Sequence, residues 1–448
     1  MASAAPGTGT LLAYGSVGLP LAAVGLPLYI YLPAFYHESL GLSLGLVGGI
    51  LLAARLWDVV TDPLVGIATD YTASRHGRRK PWILLGAPLF MLGVWFLMVP
   101  GGTAGWGHLL VWSLLAYLGW TLIQLPYTAL GAELSGEYHQ RSRITVFREA
   151  FVALGTLLAV IIPGALEQAG AERATGLMVM AGLMVLVLPL AVAALAWKVP
   201  DPPLRERRPV AWGRGLQLLR DNRPFRRLLL AYLLNGSANA LPATLFILFA
   251  TEVLGAGDRV GLLLIVYFLA AMLALPLWLR LARRFGKHRV WALSMIWAAL
   301  IFAFVPLLGE GDWLWFLLIT VLTGFSLGVD QALPAAIQAD VVDEDTAAGG
   351  GGRAGLYFGL WNMATKLAWA LAVGVAFPVL ELAGFESGSG EGLLVLALLY
   401  GAAPVAIKLA VVPLVWRFPL DLERQRDLRR RITAREPEPG VQSRPHGY

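Results

Sequence analysis

Two aspartates four residues apart, inside a stretch apolar enough to cross a bilayer, are the residues of this 448-residue chain best placed to do chemistry. Asp58 and Asp62 stand in the run AARLWDVVTDPLVGIATDY. On a helix that spacing puts both carboxylates on one face, one turn apart, with Arg55 three residues earlier on the same stripe. Desolvation and mutual repulsion both oppose the charging of two acids so close together in hydrocarbon. Two arrangements answer the problem. In one, Arg55 neutralises one aspartate and the other is protonated, giving an ion-paired structural cluster. In the other, a bound cation relieves both costs, which suits the general rule that ionisable groups within membrane spans are functional. Pro63 favours the second, because it has no N–H and leaves the Val59 carbonyl free beside the acids. Such oxygen ligands suit a hard cation such as Na⁺, by extension from Ca²⁺ and Mg²⁺ chemistry.

The elements that position these groups follow from composition. Hydrophobic residues make up 57% of the chain and charged residues 14%, and the mean hydropathy is +0.66. These values lie well outside the soluble globular range and imply a polytopic helical membrane protein. With no cysteine, a disulfide framework, thiol catalysis and Cys-ligated metal are excluded. Residues 1–10 lack a basic segment and the next apolar stretch is long enough to span, so no cleavable signal peptide is expected. A net charge of +6 raises the question of nucleic acid, which the distribution of Lys and Arg answers.

Apolar runs of spanning length recur near 11–34, 43–69, 82–100, 107–131, 144–166, 174–197, 228–251, 259–280, 289–308, 313–338, 355–380 and 392–416. Of 35 Lys and Arg, 29 lie in alternate loops and the C-terminal tail, and the opposite loops hold only Arg173 and Arg259. Both termini are therefore expected in the cytoplasm, and the basic residues set topology rather than bind nucleic acid. The expected units are a six-helix half at 1–197, a cytoplasmic connector at 198–227 with a short surface helix around 210–220, a second half at 228–416 and a tail at 417–448. A weak repeat relates the halves. SRHGRRKPW is matched by ARRFGKHRVW, Pro126 by Pro334 and Arg143 by Arg353, at offsets of 208 to 210 residues. Parallel repeats of this kind belong to transporters that rock one half against the other around a midplane site.

The segment ARLWDVVTDPLVGIATDYTASRHGRRKPWILLG resembles helix 2 and the following loop of the glycoside–pentoside–hexuronide:cation symporters, the melibiose-permease-like branch of the major facilitator superfamily. The similarity extends to GLSLGLVG, LPYTALGAEL, RSRITVFREAF and ADVVDEDTAAGGGGRAGLYFGLWNMATK. It implies the major facilitator fold and a cation site at Asp58, Thr61, Asp62 and Thr121. Thr61 stands where melibiose permease has Asn. On its own residues, Thr121 has equal claim to a hydroxyl bonded to its own helix.

The same resemblance implies a substrate site at Gln124, Arg148, Trp120, Thr128, Asn362 and Lys366. Here the chain departs from the family. The two carboxylates that hold sugar fall on Ala22 and Gln124, and Thr128 replaces a Trp. Losing those acceptors removes the strongest hydrogen bonds to sugar hydroxyls. A lone ammonium in a span seeks an anion, so Lys366 is expected to approach Asp58 or Asp62 when no cation is bound and to be displaced when one arrives. A Lys held by a fixed carboxylate, or reaching the interface, is the competing arrangement. Arg148 and Glu149 are expected to divide between cavity and loop. Asp330, Gln331, Asn235, Ser237 and Asn239 are candidates to line the second half's side of the cavity or simply to bond helices together. Trp120, Trp361 and Trp369 are placed to stack on a ligand. The acidic run Asp340, Asp343, Glu344, Asp345 with Gly349 to Gly352 is either solvated or a cytoplasmic lock against Arg141, Arg143 or the basic turns.

The expectation is an all-α membrane protein of twelve transmembrane helices in two six-helix halves, in a bacterial-type cytoplasmic membrane. It acts as a monomeric secondary symporter of Na⁺ or H⁺ with a polar organic solute, a sugar, glycoside or sugar acid. The alternative is a carrier of a non-sugar amphiphile or lysolipid, which the lost carboxylates permit; a non-transporting sensor is the third. No cofactor is implied. The chain has no phosphate-binding G-x-x-x-x-G-K-[ST] loop, so a gradient is the expected energy source.

Overall fold

A computed structural model of the chain describes residues 6–72, 74, 77–101, 104–134, 138–201, 220, 222–347 and 354–419. Twelve helices long and apolar enough to cross a membrane occupy them. They are α1 (Thr8–Glu38), α2 (Leu44–Gly66), α3 (Lys80–Met98), α4 (Trp106–Gly131), α5 (Arg143–Gln168) and α6 (Arg173–Lys198), then α7 (Arg223–Val253), α8 (Gly257–Phe285), α9 (Lys287–Leu307), α10 (Trp313–Val342), α11 (Tyr357–Leu382) and α12 (Leu393–Trp416). The surface helix expected around 210–220 and the tail beyond residue 419 lie outside the described residues.

The spans fall close to where hydropathy placed them, and the differences trace to proline and capping. α1 is longer than its apolar run and is segmented, with a wide π turn over Pro27–Tyr31. Pro27 cannot donate to the ladder, and the widened turn accommodates that loss. The helix that contains α2 continues through Pro63 to Tyr71 and starts at Ser43, whose hydroxyl accepts from the Leu46 N–H at 3.3 Å. The Asn222 side chain does the same for α7, accepting from Phe225 N at 2.9 Å. Asp201, just past α6, accepts from the backbone N–H groups of Arg79 and Lys80 at 2.8 and 3.1 Å, placing a negative charge at the start of α3.

Small residues let helices approach closely, as expected where lipid gives no hydrophobic drive to association. A Cβ on Gly119 of α4 would lie 2.4 Å from the Phe90 nitrogen of α3, and one on Gly324 of α10 would lie 2.7 Å from the Tyr267 carbonyl oxygen of α8. The same device joins the halves at the ends that the charge pattern assigns to the outside. Gly164 of α5 meets Gly261 of α8 backbone to backbone, and a Cβ on Gly48 of α2 would lie 2.8 Å from Phe377 Cβ of α11. Two large residues at either crossing would hold the outer ends apart. Nearer the cytoplasmic end of α11, Asn362 is exposed.

Candidate functional site

α2 presents the acidic pair, α4 of the same half sets Thr121 against it, and α11 reaches it from the other half. Lys366 Nζ stands 2.5 Å from Asp62 Oδ2 and 2.8 Å from Asp58 Oδ2. The contact to Asp62 is an aligned hydrogen bond. The contact to Asp58 is an ion pair without that alignment, and among the described residues Asp58 Oδ2 has no aligned hydrogen-bond donor. On the other side, Thr121 Oγ1 lies 2.6 Å from Asp58 Oδ1 and 2.9 Å from Asp62 Oδ1. A hydroxyl has one proton, so Thr121 can donate to only one carboxylate at a time and has lone pairs left to offer a cation. Asp58 is 1% exposed and Thr121 0%, which makes the uncompensated charge expensive. Two carboxylates against one ammonium leave these three groups with a net charge of about −1 if both acids are ionised, a local excess that draws a monovalent cation or a proton although Arg55, one turn away, balances it over the wider layer.

The other expected cation residue takes a different place. Thr61 spends its hydroxyl proton on its own helix, donating to the Asp58 main-chain carbonyl at 3.2 Å. Arg55 makes no ion pair with either aspartate, so the ion-paired arrangement weighed from the sequence is not the one present among the described residues. Its Nη1 donates to the Tyr29 hydroxyl at 3.1 Å, and its guanidinium lies over the rings of Tyr29 and Tyr117, at 4.1 and 4.3 Å from their centroids. Both tyrosines belong to helices remote in sequence, so the spacing of α2 alone gave no sign of them.

Several of the expected substrate residues have partners of their own. Arg148 pairs with its chain neighbour Glu149 at 2.6 Å instead of dividing cavity from loop. Thr128 donates to the main-chain carbonyl of Gln124, and Gln124 is half-buried. Trp120 packs edge-on against Phe90, and Trp361 stacks on Tyr232 at 3.8 Å. Trp369 stacks on Tyr29 at 4.9 Å and lines a narrow cavity with Arg55 and Tyr117. Asp340 pairs with Lys287 at 2.6 Å, a basic turn of its own half. The side chains of Arg141 and Asp343, and Gly349 to Gly352, lie outside the described residues.

The second half holds a polar cluster of its own. Lys408 Nζ of α12 donates to Asn235 Oδ1 at 2.9 Å and Asn239 Oδ1 at 2.7 Å, and lies 3.4 Å from Asp330 Oδ2. Asp330 in turn accepts from Asn235 Nδ2 at 3.1 Å, Trp291 Nε1 at 2.8 Å and Asn239 Nδ2 at 2.9 Å. Asn235, Asn239 and Asp330 therefore bind helices together. The signal for Lys408 was available: a lysine deep in a span demands a carboxylate, and Asp330 lies deep in another span of the same half.

The sequence profile described as MFS/sugar transport protein matches residues 13–422. The chain belongs to this family. It is a transporter of the major facilitator superfamily and an integral, multi-pass membrane protein. Among proteins it resembles, the sodium-dependent lysophosphatidylcholine symporter 1-A of Danio rerio is 26% identical, over 91% of this chain and 85% of that protein. An uncharacterized symporter of Synechocystis sp. is 25% identical, over 90% of this chain and 91% of that protein, and is compatible with a bacterial-type membrane. The crystal structure of the nucleoside transporter NupG superposes with a TM-score of 0.67 at 14% identity, covering 91% of this transporter and 99% of NupG, which shows a shared fold. The lysolipid named by the first relative favours the amphiphilic alternative over the expected sugar.

Proposed function

We propose that this transporter is a monomeric symporter that couples a monovalent cation, Na⁺ before H⁺, to an amphiphile of the lysolipid class. The observation that carries the coupling is Lys366 of one half bridging Asp58 and Asp62 of the other. A cation entering among Asp58, Asp62 and the Thr121 hydroxyl competes with the ammonium for the same oxygens. Its arrival loosens this ionic tie between the halves and frees them to rock. The melibiose-permease-like resemblance supports the cation half of this mechanism. Its sugar half lacks support, since Ala22 and Gln124 supply no carboxylate, Arg148 is engaged by Glu149, and the sodium-dependent relative is named for a lysolipid. By linkage, cation and solute tighten each other's binding by one common factor.

The test is uptake into vesicles that contain the purified transporter, under an inward Na⁺ gradient. Radiolabelled lysophosphatidylcholine should accumulate in the lumen and collapse when the gradient is dissipated, while mono- and disaccharides should not. Gradient-driven sugar accumulation without lysolipid movement would overturn the proposal.

A further inference from the structure

Arg55 lies three residues before Asp58, toward the outer seal, and the cation mechanism does not use it. It is only 6% exposed, yet its polar partners are the hydroxyls of Tyr29 and Tyr117, and among the described residues no carboxylate pairs with it. Tyr29 and Tyr117 engage the face of its guanidinium, and Trp369 stacks behind Tyr29. Cation–π contacts of this kind engage the face of the ion and leave its in-plane N–H groups unused. Arg55, Tyr29, Tyr117, Leu51, Trp369 and Val373 all line the same narrow cavity. Its walls come from both halves, α1, α2 and α4 on one side and α11 on the other, so rocking changes its width.

We infer that this cage is the subsite for the anionic group of the transported amphiphile, a phosphate ester held by the guanidinium of Arg55. The inference rests on the amphiphile proposal above and names where the headgroup charge goes. A guanidinium offers a planar fork that fits two phosphate oxygens at once. If Arg55 served packing alone, Asp58 one turn away would be its natural counter-ion, but Asp58 is committed to Lys366. Charge balance points the same way. With both acids ionised, Arg55 and Lys366 together match Asp58 and Asp62, so the layer is neutral as it stands. A bound Na⁺ makes it positive, and an anionic group beside Arg55 restores neutrality. Cation and solute then depend on each other without touching.

The discriminating probes are lysophosphatidylcholine, a monoacylglycerol with the same acyl chain and no phosphate, and inorganic phosphate. Each is titrated against the purified full-length transporter in NaCl, with binding read from thermal stabilisation. The wild-type protein should bind the phosphate-bearing lipid about tenfold or more tightly than the monoacylglycerol, and respond weakly to phosphate alone. Arg55→Gln should remove that preference while leaving monoacylglycerol binding unchanged. Arg55→Lys, which keeps the charge but loses the fork, should retain part of it and serves if the glutamine variant does not fold. An unchanged preference in either variant would overturn the inference, as would equal wild-type affinity for both lipids, and both results leave the amphiphile proposal standing. Stabilisation by inorganic phosphate without the lysolipid, or by neither lipid, overturns the amphiphile proposal and the inference together.

Discussion

Two buried Asp–Lys clusters stabilise this transporter's polar interior, and they differ in which half owns the lysine. Asp330, Lys408, Asn235, Asn239 and Trp291 all belong to the second half, and every carboxylate oxygen of Asp330 has a donor. Asp58 and Asp62 belong to the first half and borrow Lys366 from the second, with Asp58 Oδ2 left short of a hydrogen-bond donor. A satisfied cluster within one rigid body has no reason to open. On the proposed mechanism, an incomplete cluster between the two halves changes its bonding whenever they rock, so the same chemistry serves as a brace in one place and a switch in the other.

The comparison breaks most visibly at the acids. Asp58→Asn with Asp62→Asn removes both charges, and gradient-driven accumulation in vesicles should fall to background. The two lysines should then separate by assay. Lys408→Ala strands Asp330 in a dry site, and breaking a buried pair in this way costs about 3–5 kcal/mol. It should appear as a large drop in melting temperature of the purified protein. Lys366→Ala removes a side chain that is 19% exposed, so it should alter ion dependence of uptake while moving the melting temperature far less. Equal thermal losses for the two would erase the distinction between brace and switch. At the outer seal, Gly164→Leu should prevent the close contact with Gly261. Because the chain has no cysteine, Asn362→Cys is a clean reporter. Its labelling by a water-soluble maleimide should fall when Gly164→Leu is added, since holding the outside open closes the inside.

The smallest effects sharpen the site's membership. Thr121→Val should weaken the half-saturating Na⁺ concentration for uptake by roughly five- to tenfold, in keeping with about 1 kcal/mol for one hydroxyl contact. Thr61→Val should change it by less, because that hydroxyl proton is spent on the Asp58 carbonyl.

What the sequence disclosed and what it hid divide along physical lines. Spans were legible because twenty apolar residues and an asymmetric charge distribution are local properties, and the twelve helices lie near their expected bounds. Asp58, Asp62 and Lys366 were legible as groups that lipid forces to find partners. The partner of Arg55 was not, since Tyr29 and Tyr117 arrive from α1 and α4 and a cation–π cage leaves no pattern in α2. The local contacts of Arg148 and Thr128, with Glu149 and with the Gln124 carbonyl, were not anticipated, because the resemblance placed these side chains toward a ligand. The Lys408 cluster required pairing α12 with α7 and α10, which hydropathy does not reveal.

On the proposed mechanism the Lys366 ammonium and the coupling cation compete for the same two carboxylates. A Na⁺ titration of the purified wild-type protein and of Lys366→Met, read by thermal stabilisation or calorimetry, addresses it directly. Competition predicts that the variant binds Na⁺ more tightly, by about tenfold or more if a partly buried ion pair is being displaced. Unchanged or weaker Na⁺ binding in Lys366→Met would contradict it.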